Sequence, residues 1–65
     1  MNIILNGEKR NIKALTVADV LVEIGLETAR VATALNGEFL PAPQRSTASL
    51  TEGDTLEILS AMQGG

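Results

Sequence analysis

Two Asn-Gly dipeptides, Asn6-Gly7 and Asn36-Gly37, constrain this chain more than any other feature. Each stands between runs whose apolar residues alternate, and Asn-Gly is the pair that best tolerates positive φ at both central positions of a tight hairpin turn. The first run, Met1 to Asn6, puts Ile3 and Leu5 on one face and Asn2, Ile4 and Asn6 on the other. Glu8 to Ile12 returns, polar enough to serve as a protected sheet edge. The second hairpin joins Val31–Leu35, with Val31, Thr33 and Leu35 opposite Ala32 and Ala34, to a short return at Glu38-Phe39-Leu40. Pro41 and Pro43 stop that return and open a polar loop through Thr47.

Between the hairpins lies one helix signal. Thr16 is a capping residue, and Asp19 three positions on gives the aspartate form of a capping box. Val17, Val20, Leu21 and Ile24 follow at i, i+3, i+4 and i+7, one face of a 3.6-residue period. Gly25 stands where a left-handed C′ residue is needed, with Leu26 placed to fold back on the helix. Later in the chain, Leu50 returns to the core, Glu52-Gly53-Asp54 makes a turn, and Thr55 to Ala61 forms a last strand with Leu56 and Ile58 inward. A hairpin followed by a crossover helix and further strands requires a partly parallel sheet. The expected fold is therefore α+β: a β-grasp (ubiquitin-like) domain over residues 1–61, with a mixed sheet of four to five strands and one helix across one face. Residues 62–65 are expected to form a flexible tail ending in Gly-Gly.

A chain of 65 residues buries only about 60% of the surface its unfolded form exposes, and without cysteine it has no disulfide to compensate. An apolar fraction of 45% is enough for a small core and sets the chain apart from disordered sequences. The net charge of −3, the scattered basic residues and a single aromatic, Phe39, argue against nucleic acid as a partner. Neither a signal-peptide pattern nor a membrane-spanning run occurs, so the expected location is the cytoplasm and no membrane partner is expected.

Catalytic residue types are missing as well. The sequence has no His, Cys or Tyr, which removes the usual general base, the thiol nucleophile and the common zinc ligands. No catalytic residue, metal site or bound cofactor is expected, and the chain is not expected to be an enzyme. Glu52 and Asp54 flank a turn glycine, where a turn-stabilising role outweighs acid–base work. What remains is Gly64-Gly65. Gly makes up roughly 7% of average sequences, so a chance pair at the last two positions has odds of about 0.5%. A terminal carboxylate activated by another protein must reach beyond the domain and thread a narrow channel, and residues without Cβ permit the close approach.

These segments resemble the ThiS family of sulfur carriers along the whole chain. The resemblance is carried by Asn6-Gly7-Glu8, by Val31 through Glu38, by Leu50 through Ile58, and by Gly64-Gly65. It implies that Gly65 is adenylated and then thiocarboxylated, that Gly64 threads the channel, and that the sulfur goes to thiazole formation in thiamine biosynthesis. The implied partners are a ThiF-like adenylating enzyme using ATP, a persulfide sulfur donor and a ThiG-like thiazole synthase. A docking surface is expected on the sheet's open face from Ile4, Ala32, Ala34, Leu59 and Met62, with an acidic rim of Glu52, Asp54 and Glu57. Alternatives within the class are a MoaD-like carrier, disfavoured by Ala61-Met62-Gln63 where prolines are common, and a carrier for another sulfur pathway. Outside it stand a protein modifier and a noncovalent β-grasp interaction module.

Overall fold

A computed structural model of the protein describes residues 1–60. The readings on Ala61, Met62, Gly64 and Gly65, including the end of the last strand and the tail, lie outside the described residues. Five strands form one sheet: β1 (Asn2–Leu5), β2 (Glu8–Asn11), β3 (Val31–Leu35), β4 (Glu38–Leu40) and β5 (Thr55–Ser60). Their order is β2-β1-β5-β3-β4, so the last strand in sequence is the central one. β1 and β5 run parallel and every other pair is antiparallel. The single helix, α1 (Val17–Glu23), supplies the crossover that a parallel pair requires. The mixed sheet with one helix is the expected β-grasp.

The hairpin turns form as their sequences require. Asn6 and Gly7 have φ of 49° and 84°, and Asn36 and Gly37 have 51° and 85°. Positive φ at both central residues is the signature of the type I′ turn, whose twist matches that of the strands. Alternation then sorts the side chains. Ile3, Leu5, Leu56 and Ile58 are buried together with Val17, Val20 and Leu21 of the helix, and Ile12 and Leu50 complete the centre of the core. Each fully buried aliphatic side chain of this kind contributes about 1.5–3 kcal/mol.

Seven residues are too few for a helix to persist alone, so α1 is held at both ends. At its start Thr16 Oγ1 accepts the Asp19 N–H at 3.1 Å, and Val17 N–H donates to Ala48 O at 3.1 Å. At its end Gly25, at φ 82°, donates to Val22 O, while Leu26 N–H reaches Leu21 O at 2.7 Å. Those two bonds make a Schellman motif, and Leu26 packs on the core as expected. Glu23 adds a tie that local pattern does not disclose. Its carboxylate accepts the N–H groups of Lys13 at 3.0 Å and Ala14 at 2.9 Å.

One segment differs from the expected loop. Ala42–Thr47 winds into a 3-10 helix behind an extended Pro41. Pro43 falls in its first turn, where a missing N–H leaves no bond unmade. Gln44 N–H closes the turn on Pro41 O at 2.9 Å. Arg45, one of the scattered basic residues, then reaches back to donate to Val31 O at 2.7 Å and Thr33 Oγ1 at 3.0 Å. Thr33 is buried, and its hydroxyl in turn donates to Leu40 O at 2.8 Å. The chain reversal is thus fastened to β3 rather than left to solvent.

Candidate functional site

The open face of the sheet is built from the residues that alternate away from the helix. Register places Leu59 opposite Ala32, and places both Glu57 and Phe39 beside Ala34. Two small side chains on β3 therefore lie between two large exposed ones, Leu59 at 69% and Phe39 at 71% exposure. The missing bulk leaves a shallow depression of about 150 Å³ lined by Ala32, Thr33, Ala34, Phe39, Glu57 and Leu59. A second, of about 400 Å³, lies across Leu59 and is lined by Asn6, Gly7, Glu57 and Leu59. Leu59 is the ridge between them. An apolar ridge beside unfilled space thus stands one residue before the end of β5.

Of the expected docking residues, the structure brings Ala32, Ala34, Leu59 and Glu57 together. Ile4 shares the face but stands level with Thr55, four residues down β5 from Leu59, about 13 Å along the strand. Glu52 and Asp54 lie at the opposite end of β5, and both are engaged in turn formation. Glu52 Oε1 accepts the Asn2 N–H at 3.0 Å. Asp54 accepts the Thr51 N–H at 2.9 Å, the Thr51 hydroxyl at 3.0 Å and Asn36 Nδ2 at 3.2 Å. Met62, Gly64 and Gly65 lie outside the described residues. Phe39 was missed by sequence reasoning. Its signal was parity, since Leu40 packs toward the core and its strand neighbour Phe39 then faces the other way.

The Thr51 backbone N–H is the largest influence on Asp54 and holds its carboxyl below the ordinary 3.8. Slight burial works the other way, and the Asn36 and Thr51 side chains add to the lowering. A depressed folded pKa means stabilisation that is complete above the unfolded value and lost as pH falls through the folded one. Asp54→Asn should therefore cost at most about 1 kcal/mol at neutral pH, given its exposure. Urea unfolding at a series of pH values should show that difference shrinking below about pH 4. A difference that stays constant down to strong acid would contradict the assignment.

Among the described residues no group of three His, Cys, Asp or Glu is placed to hold a metal ion, and no helix is long and apolar enough to cross a membrane. Comparison with known proteins agrees with the geometry. Residues 3–65 match the model of the ThiS family. The sulfur carrier protein ThiS of Thermus thermophilus is 39% identical over 61 residues, covering 94% of this chain and 95% of its own. A thiazole synthase of Paramagnetospirillum magneticum is 36% identical over 66 aligned residues, spanning all of this chain but only 20% of that longer protein. In structure, the crystal form of the thiamine biosynthesis protein ThiS from Geobacter metallireducens superposes with a TM-score of 0.84 at 30% identity, with both chains fully covered. The solution structure of a thiamine biosynthesis protein from the same organism gives 0.81 at 30% identity, covering this whole chain and 88% of that one. With the family pattern spanning residues 3–65 and a relative alike along nearly its full length, the chain belongs to the ThiS family.

Proposed function

We propose that this protein is a sulfur carrier for thiamine biosynthesis and that the carried atom sits on Gly65. The observation that carries the reading is the Gly64-Gly65 terminus on a chain 39% identical to a sulfur carrier along nearly its whole length. The Gly65 carboxylate attacks the α-phosphate of ATP on a ThiF-like adenylating enzyme, releasing pyrophosphate and forming an acyl adenylate. The terminal sulfur of a persulfide displaces AMP, and thiol cleavage of the remaining S–S bond leaves a thiocarboxylate. Gly64, lacking Cβ, lets the backbone pass close to the walls of the activating site. The sulfur is then given to a ThiG-like thiazole synthase. Support for that acceptor comes from the Paramagnetospirillum magneticum relative, a thiazole synthase of which one fifth aligns with this chain.

This chain's share of the work is recognition and presentation. It has no His, Cys or Tyr to supply general-base or thiol chemistry, so the reacting groups other than the Gly65 carboxylate belong to partners. The exposed Leu59–Phe39 face is the docking element in this reading. Reconstitution tests it: the protein, the host's adenylating enzyme, ATP and a persulfide donor are combined and followed by intact mass. The expected product is heavier by the difference between a sulfur and an oxygen atom. A mass that never changes, with an enzyme shown to be active on another carrier, would contradict the proposal.

A further inference from the structure

The open face carries its charge unevenly. Glu52 and Asp54 commit their carboxylates to turn bonds at the far end of β5. Glu57 instead stands exposed among apolar neighbours and makes no side-chain hydrogen bond among the described residues. Register sets Phe39 of β4 on one side of Ala34 and Glu57 of β5 on the other, so an aromatic ring and a carboxylate flank a single methyl group. All three line the depression of about 150 Å³. Two strand spacings, about 9.6 Å, separate the Phe39 and Glu57 backbones.

The frame around Glu57 is held on both edges. β3 pairs with β5 at Ala34–Glu57 and Thr33–Ile58. Beyond Leu56, where the pairing with β1 ends, the Asn6 side chain takes over: Oδ1 accepts the Ile58 N–H at 2.7 Å and Nδ2 donates to Ile58 O at 3.1 Å. The direction in which Glu57 leaves the sheet is therefore set before a partner arrives, which lowers the cost of binding one.

The hollow discriminates among occupants. An apolar side chain seated over Ala34 would strip water from Glu57 and leave a buried charge unpaired, which is costly. A carboxylate would be repelled, and the net charge of −3 adds to the repulsion. A cation suits both walls: it is attracted to a ring face within about 6 Å and bonds a carboxylate at about 2.8 Å, and the two distances together match the span. Arginine fits better than lysine, because its planar guanidinium stacks on an aromatic and forks onto a carboxylate. The chain's own Lys9 shares this face but lies two strands from β5, beside Ile4 and level with Thr55. Glu57 also borders the hollow toward Gly7, but Phe39, the one aromatic of the chain, stands on the Ala34 side.

We propose that Phe39, Ala34 and Glu57 form a subsite for an arginine side chain of the adenylating partner, and that this arginine sets the register in which the partner docks. The inference rests on the docking role given above to the Leu59–Phe39 face and names the partner's chemistry there.

The test measures binding of the host's adenylating enzyme to the protein without ATP, as rates of association and dissociation. Glu57→Gln removes the charge and keeps the shape, and it should weaken binding about ten-fold or more, chiefly through faster dissociation. Glu38→Gln is the matched control. It removes the same charge from the exposed residue next to Phe39, on the other face of the sheet, and should change affinity by less than about two-fold. Phe39→Leu keeps an apolar side chain without a ring face and should cost about five-fold. The double variant should lose clearly less than the product of the two, because both residues act on one guanidinium. Treating the enzyme with phenylglyoxal, which blocks arginine, should weaken binding of the wild type more than that of Glu57→Gln. Equal losses for Glu57→Gln and Glu38→Gln, fully multiplicative losses in the double variant, or equal weakening by phenylglyoxal overturn the arginine subsite. Leu59→Asp separates the two readings: if it still weakens binding, the docking face stands without the subsite, and if it binds like wild type, the docking face falls as well.

Discussion

Deleting Gly65 should abolish sulfur loading and leave the fold unchanged. Every buried apolar residue among those described falls between Ile3 and Ile58, so removal of a residue seven positions beyond the core should shift stability by no more than about 0.5 kcal/mol. The shortened chain would still end in a carboxylate, on Gly64. That carboxylate would stop one residue, at most about 3.6 Å of chain, short of the α-phosphate. In-line attack tolerates about 1 Å of error before losing about 100-fold in rate, so the truncated chain should show no product in the reconstitution that loads the wild type. Thermal unfolding supplies the second readout. Full loading of the shortened chain would contradict the mechanism, and a large drop in melting temperature would show that Gly65 serves the fold.

The second large effect is expected at Leu59. Its side chain is 69% exposed, so Leu59→Asp should stay folded, apart from mild repulsion by Glu57 two residues back on the same face. Against a partner the change is severe: a carboxylate replaces the apolar ridge between two depressions and would be desolvated in the interface. Central apolar contacts of this kind are worth about 2 kcal/mol or more, an expected loss of at least about thirty-fold in kcat/KM for adenylation. Leu15→Asp is the matched control, because Leu15 is 66% exposed but lies ahead of the helix, away from the open face. Equal kinetics for the Leu59 and Leu15 variants would show that docking uses another surface.

What the sequence disclosed was local. Positive φ at Asn6-Gly7 and Asn36-Gly37, the Thr16 cap and the Gly25 Schellman turn each depend on a few adjacent residues, so each could be read from them. Strand parity likewise put Leu59, Ala32 and Ala34 on one face. Register was the missing quantity. Nothing local says that Ile4 stands level with Thr55 rather than Leu59, or that Phe39 borders the depression beside Ala34. Long-range side-chain ties were hidden for the same reason. Glu23 serves Lys13 and Ala14, Arg45 serves Val31 and Thr33, and Asn6 serves Ile58 across 52 positions of sequence. Glu52 and Asp54 show the converse, since acidity alone suggested a rim while their turn bonds hold them at the far end of β5. Gly65 is proposed on chemistry alone, since a carried carboxylate at the chain end would need no fold to suggest it.

The account stands on the chemistry of one atom, and intact-mass measurement of the protein taken from its native host addresses it directly. Cells grown without thiamine should yield a fraction of the protein heavier by the sulfur-for-oxygen difference, with fragmentation placing the change on Gly65. That fraction should disappear when the adenylating enzyme is deleted. A protein found only with an unmodified terminus under thiamine starvation, or with its modification elsewhere in the chain, would contradict it.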